Sequence, residues 1–266
     1  MGYFYPLLLY TALGGGLLLL GIASLSWLHT LHKPVTAASL SIVTLLWLLL
    51  PAQGRWIFSI WSPGSVVGGQ VLFDMTPALW WCGVMFGAVL SGAAWVELSE
   101  RQDTFPLVGP LMLVVLILIW LSLSAGSLLT TLVIWAVFDL VWAATGLMSG
   151  ADGERLTFGL ALHGISSIVL WSVSLILLRE GGSGLWWLMW PSSPMLTLLL
   201  IAVLVRVGFY PFQIVFPRKL GMTRSLSLLY LMGPMMGLSL LYRLMALPGV
   251  GRLPDWVIIW GVISLF

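Results

Sequence analysis

Along most of the chain, polar side chains are confined to short intervals between long apolar runs. Such runs suit the roughly 20 helical residues needed to cross a hydrocarbon layer about 30 Å thick. Lipid admits only helices and closed barrels as spanning structures, because an unpaired backbone group finds no water there. Barrel alternation is absent from the runs, so the pattern predicts helices. Spans are expected near Tyr5 to Leu28, Ala37 to Pro51, Pro77 to Leu98, Pro106 to Leu123, Leu128 to Met148, Leu156 to Leu178, Met195 to Phe216, Leu226 to Ala246 and Trp256 to Phe266. The second is short. The ninth stops after a few turns, so the chain is expected to be a piece of a longer protein. The first has neither a basic leading region nor a small-residue cleavage pattern and is expected to stay as a helix rather than be removed. Residues 1–266 thus read as one all-α, polytopic transmembrane domain of about nine helices.

Composition sharpens this picture. Apolar residues make up 60% of the chain and charged residues 8%, which excludes a water-soluble domain of this length. A net charge of +2 suggests neither a nucleic-acid partner nor a polybasic lipid anchor, and leaves the lipid bilayer itself as the expected environment. The basic residues in or beside alternate loops form two sets. Lys33, Arg101, Arg155, Arg218, Lys219 and Arg224 belong to one; Arg55, Arg179, Arg243 and Arg252 belong to the other. This mild bias favours an N-terminus on the outer side. Many of the 16 tryptophans, including Trp27, Trp61, Trp80, Trp81 and Trp256, fall at span ends, as an interfacial belt does. The single cysteine, Cys82, allows no disulfide within the chain and no thiolate metal set. No phosphate loop, nucleophile elbow or metal-ligand spacing is present, so no catalytic residue, metal or cofactor is expected.

Two charges interrupt the apolar runs. Asp139 lies in "VIWAVFDLVWAATGL" and Arg206 in "LLLIAVLVRVGFYPF". A charge at the centre of a span costs about 2.5–3.5 kcal/mol on insertion scales unless it is paired or faces water. Each needs a partner, and the simplest is the other. The pair then serves either as a clamp between helices or as part of a hydrated path. His163, in the span between them, carries an imidazole, the side chain whose unperturbed pKa of about 6.5 suits a proton relay. Beside Gly164, Ser166 and Ser167 it equally suits a polar helix contact. Pro211 is expected to kink the seventh span just past Arg206, and Pro217 with Gly221 to end it. Broken helices at membrane depth occur where freed carbonyls meet protein or water, as at transporter ion sites.

These segments resemble the antiporter-like membrane subunits of respiratory complex I (NADH-quinone oxidoreductase) and of the Mrp-type multisubunit cation/proton antiporters. In that family the seventh helix carries a lysine within "GKSAQxPLHxWLPxA", the fifth a glutamate, and the eighth an "HAATMVTAGVYLL" pattern. Here "VRVGFYPFQIVFP" sets Arg206 on the lysine and Pro211 and Pro217 on the prolines, with Gln213 on the histidine and Val215 on the tryptophan. "VFDLV" sets Asp139 on the glutamate. "VLFDMTPALWWCGVMFGAVL" places Asp74 on the acid before the third helix, and "GPMMGLSLLYRL" places Gly237 and Arg243 at the end of the eighth. The resemblance covers roughly residues 70–245 in order and spacing, with low letter-for-letter identity.

The resemblance implies the first half of an inverted-repeat fold within a multisubunit complex, in a bacterial inner membrane or an equivalent energy-transducing membrane. It implies a proton half-channel with Asp139, Arg206 and His163 on its path, other membrane subunits as partners, and no redox centre in this chain. Two departures qualify it. Guanidinium stays protonated where lysine can release its proton, so Arg206 acts as a fixed charge. Leu229, Tyr230 and Leu231 occupy the region of the eighth-helix histidine. The alternatives are a non-conducting structural subunit with the same fold, or an independent ion transporter.

Overall fold

The computed structural model describes residues 15–16, 31–57, 71–99, 108–148, 153–208, 224–247, 250 and 254–264. Eight α-helices occur among them. They are α1 (His32–Leu48), α2 (Pro77–Ser99), α3 (Val108–Ser124), α4 (Leu128–Met148), α5 (Gly153–Arg179), α6 (Ser193–Val207), α7 (Arg224–Met245) and α8 (Asp255–Ile263). The expected count of nine is therefore corrected to eight among the described residues. The span read near Tyr5 to Leu28 lies outside them except at Gly15 and Gly16.

Within α2, α4 and α5, the segments Pro77–Leu98, Leu128–Leu147 and Leu156–Arg179 are long and apolar enough to cross a membrane. Their outward faces carry Met85, Leu140, Ile168 and Leu175, all exposed. Many hydroxyls and several charges are turned inward instead. Ser122, Ser124, Thr130, Thr131, His163, Arg206 and Arg243 are all buried. Apolar-out, polar-in packing is stable where the surrounding solvent is itself apolar.

A short antiparallel hairpin departs from the all-α expectation. Strands β1 (Gly54–Ile57) and β2 (Leu72–Met75) pair Arg55 with Asp74. The hairpin closes one end of the bundle. The Gly126 amide donates to the Leu72 carbonyl at 2.7 Å, and the Leu72 amide to Thr130 Oγ1 at 2.9 Å. Leu128 and Trp186 donate to Gly184 and Gly126, so the α3–α4 turn is bonded on both sides. Arg243, placed above at the end of the eighth span and beside a loop, does lie in the last turn of α7, and it is buried there. Its Nη2 donates to the carbonyls of Asp74 at 2.8 Å and Leu123 at 2.7 Å. A cation there also meets the partial negative charge where α3 ends.

Helices α1 and α2 approach through a stripe of small residues. Gly83, Gly87 and Ser91 recur at four-residue spacing on α2. Ser91 Oγ lies 3.2 Å from Thr44 Oγ1, within hydrogen-bonding distance. A Cβ on Gly83 would stand 2.6 Å from the Trp47 ring, and one on Gly87 2.6 Å from Thr44 Oγ1. Trp47 stacks on Trp120 with centroids 4.4 Å apart, and Trp120 Nε1 donates to the Gly83 carbonyl at 3.0 Å. Without a hydrophobic drive between helices in lipid, such close packing and hydrogen bonding must hold them together.

Gly83→Ala is expected to destabilise the bundle by about 1–3 kcal/mol, because neither buried ring can yield without losing its stack or hydrogen bond. Thermal unfolding in detergent measures this. An unchanged midpoint would contradict the described α1–α2 approach.

Candidate functional site

One face of α4 carries Trp135, Phe138, Asp139 and Trp142, spaced so that they project together toward α5 and α6. Asp139 lies eleven residues into α4, about 17 Å along its axis at 1.5 Å per residue. His163 stands near the middle of α5, and Arg206 in the last turn of α6.

The structure brings these three side chains together. Arg206 Nη1 lies 2.6 Å from Asp139 Oδ1, and His163 Nδ1 lies 3.1 Å from the same oxygen. Ser167 Oγ donates to Asp139 Oδ2 at 3.2 Å. The Arg206 side chain is wholly enclosed, at 0% exposure. Its contact with Asp139 is an ion pair by distance, but its N–H groups are not aligned as hydrogen-bond donors. Among the described residues no acceptor is aligned with Nε, Nη1 or Nη2. Aromatic faces take up part of the charge instead, with the guanidinium carbon 4.7 Å from the Trp135 centroid and 5.3 Å from that of Phe138. Trp142 covers His163 at 4.9 Å between ring centroids.

Glycines let the neighbouring helices close on the site. A Cβ on Gly159 would stand 2.5 Å from Trp142, so α5 lies directly against that ring. On α7, a Cβ on Gly237 would stand 2.7 Å from Val207 Cγ2 and 3.2 Å from Arg206 Cβ. Gly233 faces His163 and Phe138, and Pro234 follows it within the helix. Proline cannot donate to the carbonyl one turn back, so α7 loses a backbone bond one residue past its contact with His163.

The seventh expected span breaks earlier than its prolines suggest. Helix α6 starts behind Ser192, with Pro194 in its first turn, and ends at Gly208. There φ is 79° and ψ 36°, a left-handed conformation that glycine adopts without a Cβ clash. The Gly208 amide donates to the carbonyls of Leu204 and Val205, closing the last turn. Arg206 is therefore within the final turn of a 15-residue helix, where a cation meets the negative end of the dipole. Pro211 and Pro217, named above as the breaks, lie outside the described residues.

Ser167 and the aromatic pair Trp135 and Phe138 were not assigned to the site from sequence. Their positions four and one residues before Asp139 are the signal that places both rings on its face. Among the described residues, no group of His, Cys, Asp and Glu could hold a metal ion. Chemically, the arrangement joins a carboxylate, an imidazole and a permanent cation in a setting with little competing water. Compared with known proteins, the chain matches no family model and no curated protein.

Arg206→Met should destabilise the fold by about 3–5 kcal/mol, because Asp139 then remains as an uncompensated charge. Combining it with Asp139→Asn should restore most of that loss. Denaturant unfolding of both variants in detergent measures the coupling, and additive losses would show that the pair does not interact.

Proposed function

We propose that this chain is a multi-pass, antiporter-like membrane subunit of a complex I type proton-translocating NADH-quinone oxidoreductase. It contributes a proton half-channel and works with other membrane subunits in a bacterial inner membrane or an equivalent energy-transducing membrane. The observation that carries this reading is the 2.6 Å contact between Asp139 and Arg206, in apolar helices where the resemblance sets an acid and a cation. His163 touches the same carboxylate oxygen at 3.1 Å and is the group on that oxygen able to pass a proton.

In this mechanism Arg206 never releases a proton. It is a fixed field. When Asp139 lies against Arg206, the two charges largely cancel at His163. When the pair separates, the unbalanced field changes the proton affinity of His163 and of groups beyond it. The ending of α6 at Gly208 and the backbone bond missing at Pro234 within the continuous helix α7 flank the pair, and such positions are where packed helices can bend or rearrange. Redox chemistry elsewhere in the complex drives the change.

The complete enclosure of Arg206 against Trp135 favours a second reading, in which the pair only clamps α4 to α6 in a non-conducting subunit. Variants separate the two. Under the conducting reading, Asp139→Asn abolishes proton pumping by the whole complex in membrane vesicles while the complex still assembles. Arg206→Lys keeps most pumping, and Arg206→Met does not. Loss of assembly with Asp139→Asn would favour the clamp, and full pumping by Arg206→Met would remove Arg206 from the mechanism.

A further inference from the structure

Arg55 differs from the two buried arginines. It projects from β1 at the hairpin end with its side chain 57% exposed. Two contacts fix its plane. Nε donates to Asp74 Oδ1 at 3.1 Å across the hairpin, and the guanidinium carbon lies 4.1 Å from the centroid of the Trp187 ring, in the 3-10 turn Trp186–Leu188. Asp74 also lies 3.9 Å from Arg243 Nη1, so one carboxylate is shared between two guanidiniums and does not neutralise both. Among the described residues, Arg55 makes no hydrogen bond through Nη1 or Nη2, and the outer edge of its fork is open to an acceptor.

The surroundings of that edge are apolar. Ile57, two residues along β1 and on the same face of the strand as Arg55, is exposed, and so are Leu188 and Trp190 beside Trp187. The hairpin lies at the level where the spans begin and end. The membrane-crossing segments of α2 and α4 start at Pro77, just after β2, and at Leu128, just after the Gly126 turn that bonds to β2. That of α5 stops at Arg179, and Trp186 beyond it donates to Gly126. A cation on an aromatic face, among exposed apolar side chains at the ends of spans, suits the headgroup layer between hydrocarbon and water.

We propose that Arg55 and Trp187 form a phospholipid headgroup site. The open Nη edge donates paired hydrogen bonds to a lipid phosphate, while Ile57, Leu188 and Trp190 pack against the glycerol and the upper acyl chains. A planar fork matches two phosphate oxygens at once, which a lysine ammonium does not. Asp74 and Trp187 already hold the fork in place, so little side-chain freedom is lost on binding. The exposed apolar neighbours favour a lipid phosphate over a free one, because a free anion gains nothing from them. The inference goes beyond the Asp139–Arg206 reading and does not depend on it.

The test places the whole chain in lipid nanodiscs containing phosphatidylglycerol that carries a photoreactive diazirine near the top of one acyl chain. A parallel sample holds the diacylglycerol of the same chains, which lacks the phosphate. Illumination releases nitrogen and inserts the resulting carbene into a neighbouring bond, and peptide mass spectrometry locates the adduct. Labelling is read relative to that at the far ends of α2 and α5. The phospholipid is expected to label Gly54–Ile57 and residues 186–190 about tenfold more than the diacylglycerol does, and Arg55→Gln to remove that difference, as loss of hydrogen bonds between charged groups implies. Trp187→Leu, which keeps the Asp74 contact, should lower it. Equal labelling by the two lipids, or unchanged labelling in Arg55→Gln, would overturn the proposal. So would loss of the labelling to competing inorganic phosphate, which would make this a site for a free anion. The two lipids are compared on the native chain, so a variant that fails to fold does not remove the test.

Discussion

The attraction between Asp139 and Arg206 constrains everything around it. Neither charge is tolerable alone among apolar helices, so α4 and α6 must present them to one another at one depth. Trp135, Phe138 and Trp142 share the same face of α4 and shield the pair. Gly233 and Gly237 allow α7 to lie over His163 and Arg206 without a side chain intervening. The contact is made through a single guanidinium nitrogen and not as a forked arginine–carboxylate pair, so charge more than direction holds it.

The second buried arginine has a different character. Arg243 donates to two backbone carbonyls, which do not titrate, and ties the ends of α3 and α7 to β2. With the bonded turn at Gly126, it makes the hairpin end the fixed end of the bundle. The opposite end, toward which α2 runs from β2, holds the buried Glu97 beside a water-sized cavity. Buried ionisable groups are thus distributed along the bundle, with Asp139, His163 and Arg206 between one end locked by backbone bonds and another where an acid meets a water-sized space.

Much of this was legible in the chain for simple physical reasons. Long apolar runs give helices because lipid permits little else. Asp139 and Arg206 stood out because charges are rare at such depth, and His163 because it is the one histidine within an apolar run. Trp135 and Phe138 did not stand out, since aromatics are common in apolar helices and only the fold says which ring meets a cation. Pro211 drew attention away from Gly208, whose left-handed turn ends α6 three residues sooner. The hairpin was illegible because its strands are four residues long and β2 is fastened by Arg243, 169 residues away. The burial of Arg243 was illegible for the same reason, because nothing near it in sequence shows that the Asp74 and Leu123 carbonyls accept from its guanidinium.

The measurement that tests this account most directly is extraction of the protein from its native membrane in mild detergent, with mass spectrometry of what co-purifies at fixed stoichiometry. The account predicts hydrophilic iron–sulfur and flavin subunits together with other antiporter-like membrane chains. A protein that runs alone, or only with unrelated membrane proteins, would contradict it.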